Sequence, residues 1–341
     1  MSPNAAAHNL AANLRWQAAL CARTDSPLYA ALLDKSASDV EVAGPVWHVL
    51  ADYADEPGSE VVALRFMAAV HRLVLLDRLP ELAAHYPSTG GEGDAHNAWP
   101  PFRQALIDHR DEIHALTARR CQTNEVGRCA SLLGGFLEVA HRTGLPLRIL
   151  EIGASAGFNL NWDRYRYEST DGAWGETGSP VTFAHHFELP PPMNRAAEVV
   201  ARKGCDVNPI DPTSDEGALT LRSSIWADQL GRMTLLDGAI EVARDAPVDV
   251  EKLDAVSFLE RELARRDPEV ATVVYHSIVI RYIGADDRRR IAELIDEAGV
   301  FRLSLEFGRE AFEIRLNGDV MGTSGPHGTH VRWNVDSTSQ T

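Results

Sequence analysis

Apolar residues recur at three-and-four spacing across the first part of the chain, over 10–21, 27–35, 61–78 and 102–121, which predicts amphipathic helices. Turn-forming stretches separate them, at Glu56-Pro57-Gly58-Ser59 and over 87–101, and Ser59 is placed to open the helix that follows. A further apolar helix is expected over 129–140. Past Pro146 the pattern changes to short apolar or β-branched runs at 148–152, 248–255 and 271–280. Helical stretches are expected around them, at 194–203, 226–244, 256–266 and 286–298, and three closing strand-like runs follow at 301–307, 311–316 and 329–335. Strands alternating with helices make an α/β domain with a parallel sheet. Aromatic and polar residues alternate near 162–167, and with Gly172-Ala173-Trp174-Gly175 as a turn and 181–187 as a return run they predict a hairpin inserted at about 162–190. The organisation expected is therefore an all-helical domain over 1–145 and an α/β domain over 146–341.

Composition narrows the function classes. The chain has 341 residues, 45% of them hydrophobic and 24% charged, enough for one large core or two smaller ones. Its net charge of −16 disfavours a nucleic-acid partner, because phosphate backbones are gripped by clustered Lys and Arg. The apolar region 61–79 carries Arg65, His71, Arg72 and Asp77, a buried helix and not a membrane span. The four cysteines, at 21, 121, 129 and 205, form no C-x-x-C pair and suit a reduced, cytoplasmic protein. Asp108, His109, Asp111, Glu112 and His114 have metal-ligand spacing, but a solvated helix face is the simpler account and no metal is expected. The oligomeric state stays open.

The stretch with most chemistry runs from Leu147 to Asn161. A buried strand, Arg148 to Ile152, feeds Gly153-Ala154-Ser155-Ala156-Gly157, a turn with no bulky side chain, against whose N–H groups a polar ligand can lie. Gly153 to Gly157 also spells the G-x-S-x-G of a nucleophile elbow, with Asp254 and then His276 or His327 able to supply the chain order of a hydrolase triad. The helical upstream half and the lack of an HGGG-like segment weigh against that alternative.

Glu151-x-Gly153-x-Ser155-x-Gly157 resembles the first motif of class I S-adenosylmethionine-dependent methyltransferases, with Ser155 in place of the middle glycine. The resemblance implies a Rossmann-like sheet, mostly parallel and seven-stranded with its last strand antiparallel. It implies S-adenosylmethionine as cofactor, held by Glu151, Gly153, Ser155 and Gly157. Gly204-Cys205-Asp206-Val207-Asn208-Pro209 looks like the second strand of that fold, which makes Asp206 the ribose acid; Asp254, with Ala255, looks like the adenine-reading acid after the third. Tyr275 and His276 lie where the fourth strand of that family faces the transferred methyl group, and are the catalytic candidates. The alternative in a different class is a nucleotide-binding module of the same fold without turnover.

Four segments also resemble a bacterial domain-of-unknown-function family over nearly the whole chain: H-Y-P-S at His85, Q-T-N-E-V-G-R at Gln122, G-A-S-A-G-F-N-L at Gly153 and G-P-H-G at Gly325. In the second of these, Thr123 or Asn124 can cap the next helix, with Glu125 in its first turn. Because that helix leads to the 148–152 strand, Asn124, Glu125 and Arg128 are also candidates for the cofactor mouth. Asn159, Trp162 and Tyr165 are candidates for a lid or for contact with a small-molecule substrate, Trp162 and Tyr165 through their rings.

Overall fold

A computed structural model describes residues 3–57, 61–120, 124–265 and 267–334. The helix start expected at Ser59 lies outside the described residues, as do Cys121, Gln122 and Thr123. Two compact units make up the chain: residues 1–123 with 215–233, and residues 124–214 with 234–341.

The first unit is helical: α1 (Pro3–Arg23), α2 (Pro27–Glu41), α3 (Pro45–Leu50), α4 (Val62–Leu75), α5 (Pro80–Ala83), α6 (Ala95–Asp108) and α7 (Arg110–Thr117). Proline at the first position of α2, α3 and α5 presets the helical φ where no N–H partner is needed. The single helix expected over 102–121 is two. The first begins earlier, where the Asp94 carboxylate accepts from His96 N and Asn97 N, and the chain breaks at His109. Asp108, His109, Asp111 and Glu112 border a surface groove with Pro45 and His48, and among the described residues no three potential metal ligands converge.

The next helix, α8 (Arg128–Thr143), groups with the second unit although it precedes residue 145, because its buried face packs on the sheet. α9 (Asp215–Ser224) returns to the helical unit, where Glu216 pairs with Arg72 and Arg119, and Asp228 accepts from Ser26 Oγ and Leu28 N.

The second unit is mixed α/β around a large, mostly parallel sheet. Its strands are β1 (Leu147–Ile152), β2 (Arg166–Ser169), β3 (Gly172–Gly175), β4 (Thr182–Phe183), β5 (Phe187–Leu189), β6 (Val199–Asp206), β7 (Val250–Lys252), β8 (Ala271–Ser277), β9 (Phe301–Phe307), β10 (Phe312–Leu316), β11 (Asp319–Ser324) and β12 (Val331–Trp333). Nine of them form the main sheet in the order β5-β12-β11-β10-β9-β8-β1-β6-β7, parallel from β7 to β9 and then an antiparallel meander through β12. The expectation of seven strands closed by one antiparallel strand is thus corrected. The run Asp319–Ser324, which has no strong alternation, is a strand, and β5 adds a parallel edge beside β12.

Two more readings change. Residues 194–203 were expected to be helical, yet Val199 to Lys203 lie in β6, paired with β1, and tertiary pairing overrides their weak local preference. Gly172–Gly175 is the strand β3 and not the hairpin turn; it pairs with β2, and β4 joins β2 in parallel to make a separate three-stranded sheet. The remaining helices are α10 (Leu230–Asp245), α11 (Ala255–Leu263) and α12 (Ala285–Ala298). Leu150, Ile152, Cys205 and Val274 pack with α11 and α12 on one face of the sheet. Phe136 of α8 meets Tyr275 and Trp162 on the other.

Gly134 and Gly135 let α8 lie close to the strands: a Cβ at Gly134 would overlap the Trp333 ring, and one at Gly135 the Leu303 methyls. Glycine to alanine inside a helix ordinarily stabilises by about 1 kcal/mol. Here the sign reverses. Gly134→Ala is expected to destabilise by roughly 1–3 kcal/mol in urea unfolding, the cost of overpacking against a rigid ring.

Candidate functional site

The parallel strands β1, β6, β7 and β8 end on one rim, where crossover loops leave backbone groups and strand-tip side chains open to one another. β1 stops at Ile152, and the chain turns through three left-handed residues, Gly153 (φ 69°), Ser155 (φ 52°) and Gly157 (φ 78°). A side chain at Gly153 would overlap Val279, and one at Gly157 would meet Val248. Both positions therefore need glycine for conformation and for space. Ser155 holds the same backbone form at a steric cost.

The loop is tied to the end of β6. Gly153 N and Ala154 N donate to Cys205 O at 2.9 and 3.0 Å, and Ser155 N donates to Asp206 Oδ2 at 3.0 Å. The other oxygen, Asp206 Oδ1, accepts from Asn208 N at 2.8 Å. Asp254, just past β7, caps α11 by accepting from Ser257 N at 2.9 Å, which with the other local N–H groups holds its carboxyl below the usual range; Ala255 opens that helix. Glu151, Asp206 and Asp254 thus follow one another along the rim, on or just beyond three neighbouring strands.

Glu151 is the most unusual of the three. It is 1% exposed, accepts from Tyr275 Oη at 3.0 Å and from Asn159 Nδ2 at 3.4 Å, and its Asn159 partner in turn receives the Cys129 thiol at 3.2 Å. Burial pushes its carboxyl up to about 8, against the pull of the Tyr275 and Asn159 hydrogen bonds, so it carries a proton at neutral pH. Burial likewise pushes the Cys129 thiol up, and Cys129 is a free thiol.

The polar segment before α8 joins the rim. Asn124 Oδ1 accepts from Phe158 N at 2.9 Å, directly after Gly157. Arg128 donates to Ser277 O at 3.1 Å and to Pro326 O at 3.3 Å, reaching the ends of β8 and of the β11–β12 connection. Glu125 Oε2 lies 3.1 Å from His327 Nδ1. The Gly127 and Gly328 backbones cross so closely that a Cβ on either would overlap the other strand of the crossing. The H and G of Gly-Pro-His-Gly therefore belong to the same structure as Asn124, Glu125 and Arg128, a pairing invisible in the sequence across 200 residues.

Trp162 and Tyr165, expected at a lid, are fully buried: Trp162 is stacked between Phe136 and Trp174, and Tyr165 Oη donates to Phe158 O at 2.7 Å. They brace the loop from beneath. Tyr275 and His276 alternate across the sheet, Tyr275 toward Glu151 and His276 toward Glu306 of β9, with Nδ1 2.8 Å from Glu306 Oε1. Glu306 was not singled out in the sequence, although it too ends a parallel strand, the position from which the other rim acids were read. The hydrolase alternative gains no triad. Among the described residues the Ser155 hydroxyl has no hydrogen-bond partner, Asp254 is a helix cap, and His276 and His327 contact Glu306 and Glu125.

Two outcomes follow from this geometry. Ser155→Gly is expected to stabilise by about 1 kcal/mol in urea unfolding, since it removes both the left-handed strain and a buried hydroxyl without a partner. For Glu151, the folded state holds its proton to a higher pH than the unfolded chain does. Its contribution to stability is therefore full below the ordinary carboxylate range and is lost as pH rises toward about 8. Glu151→Gln should gain on the wild type over that window, by up to about 1.4 kcal/mol per pH unit where the slope is steepest. A difference between the two proteins that is flat from pH 5 to 8 would contradict the neutral carboxyl.

Comparison with curated proteins and with solved structures returned no match. Residues 11–339 match the family described as "Uncharacterized protein conserved in bacteria (DUF2332)", which spans the helical unit and the sheet alike, and the chain belongs to that family.

Proposed function

We propose that this rim binds S-adenosylmethionine and that the protein is a methyltransferase acting on a small molecule. One observation carries the reading: Glu151, Asp206 and Asp254 stand in sequence along neighbouring parallel strands beside the left-handed loop that follows β1. The residues fit the group. Gly153 and Gly157 add no side chain of their own to the loop, and Glu151 is a buried carboxyl hydrogen-bonded to neutral partners, suited to receive a cationic end. Asp206 stands beside the loop as a carboxylate, an acceptor-only group of the kind that receives ribose hydroxyls. Ala255 beside Asp254 leaves space for a planar base. Bound there, the cofactor supplies an electrophilic methyl group on a sulfonium. The chain's part is to orient it, to keep water from the rim and to present an acceptor.

Calorimetry tests this directly. Titration of S-adenosylmethionine or S-adenosylhomocysteine at pH 7 should give saturable heat, and Asp206→Asn should weaken it about tenfold or more, a loss of at least ~1.4 kcal/mol. Because Glu151 is protonated beforehand, binding of the cation should release a proton, so the heat should differ between phosphate and Tris buffers. No heat from either ligand on folded protein sinks the proposal. Saturable heat without transfer of labelled methyl to any component of a cell extract would leave a nucleotide-binding module.

A further inference from the structure

The tip of β8 contains a device that the cofactor site does not use. Glu306 Oε1 gathers three nitrogens: Val279 N at 3.1 Å, Ile280 N at 3.3 Å and His276 Nδ1 at 2.8 Å. The two backbone groups can only donate, so that oxygen is an acceptor, and the hydrogen of the third contact belongs to the histidine. Between them stands Ile278, a β-branched residue at φ 53°, whose own N donates to Leu305 O. Left-handed backbone is costly for such a residue, and the Glu306 contacts on either side are what hold it. Burial by itself would raise the Glu306 carboxyl; the His276 contact and the two N–H groups outweigh it and keep it below the ordinary range.

In the neutral ring with hydrogen on Nδ1, the other ring nitrogen carries the lone pair. His276 is 1% exposed, and its Nε2 is buried with no hydrogen-bond partner among the described residues. A buried acceptor left unpaired is expensive, about 1–3 kcal/mol, and a fold that retains one has a use for it or a ligand to fill it. Its position at the end of a strand adjoining β1 sets it on the rim that carries Glu151.

We propose that Glu306 is a positioning residue that locks His276 in its Nδ1–H tautomer, leaving Nε2 as the proton acceptor for a hydroxyl or amine on the molecule presented to the rim. The inference rests on the methyltransferase reading for the identity of the reaction, but the tautomer does not. It restricts the methyl acceptor to one that carries a proton on its nucleophilic atom: Nε2 takes that proton as the oxygen or nitrogen lone pair is freed to react. A purely apolar carbon acceptor would have no use for the arrangement.

The experiment is nitrogen NMR of the full chain labelled at histidine, with His276→Gln to assign the resonance, at a pH where the ring is neutral. The wild type should show protonated Nδ1 and unprotonated Nε2. Glu306→Gln, which keeps an oxygen for the same three donors, should retain that tautomer, and Glu306→Ala should lose it. A wild-type ring protonated on Nε2 overturns the proposal, and so does an unchanged tautomer in Glu306→Ala. Should Glu306→Ala fail to fold, the wild-type and Glu306→Gln spectra still decide, since either one on the Nε2–H form refutes the lock. Calorimetry with S-adenosylmethionine on the same samples keeps the two ideas apart: absent heat with the expected tautomer fails the cofactor reading alone, and normal heat with the wrong tautomer fails the dyad alone. Where methyl transfer to an extract component is detected, His276→Gln should reduce it by about 10²–10⁴-fold, the usual worth of a positioned base.

Discussion

Everything at the rim depends on how the backbone after β1 is tethered to the end of β6. Cys205 O accepts from two successive amides, Gly153 N and Ala154 N, and the next amide, Ser155 N, goes to the Asp206 carboxylate. Ser155 O then accepts from Ile210 N beyond the turn. Four consecutive polar contacts fix the loop against its neighbour, and the left-handed conformation at 153, 155 and 157 is what allows the chain to make them. An acid at position 206 is therefore structural before it is anything else: it holds the floor whose ligand it would also touch. That double duty makes Asp206→Asn a milder test than Asp206→Ala, because the amide oxygen can still accept from one backbone group.

The legibility of the sequence follows the range of the interactions. β1, β8 and β9 were readable because each is a short apolar run between turn signals, and burial on both faces needs nothing more. β6 was read only at its end, 204–206, because Arg202 and Lys203 give its middle a charged character, and only the structure shows where those charges go. Arg202 pairs with Asp163 at 2.7 Å, and Lys203 meets Glu251 and Glu262. β11 was hidden for a different reason: Asp319–Ser324 contains a glycine whose added Cβ would overlap the β12 backbone, so its partner and not its composition makes it a strand.

The same division holds for the site. Glu151, Asp206 and Asp254 could be named because each sits at a fixed place relative to a glycine or a strand end. The partnerships of Glu125 with His327 and of His276 with Glu306 span 202 and 30 residues, and no local signal announces them. Asn124 and Arg128 fall between these cases. Their segment was marked by its density of polar side chains, but its role as a brace joining Phe158, Ser277 and Pro326 needed coordinates. For Trp162 and Tyr165 the sequence left packing and a lid both open, and the structure shows both rings buried.

Two buried carboxyls near this rim are driven in opposite directions, and the difference lies in their donors. Glu151 receives a phenol and an amide in an apolar setting, too little to offset desolvation, and its carboxyl rises to about 8. Glu306 receives two main-chain N–H groups and an imidazole on one oxygen, enough to overcome burial, and stays below the ordinary range. Paired acids separated in this way are suited to separate tasks. Under the proposed reading, the neutral Glu151 becomes charged only when a cation arrives, so an empty rim avoids an uncompensated buried charge. Glu306 stays charged, so the oxygen that accepts from the neighbouring ring can also stabilise that ring after it gains a proton. Exchanging the two environments would leave a charged floor with no ligand and a histidine with no anchor, which is why the donors around each acid, more than the acids themselves, define the site.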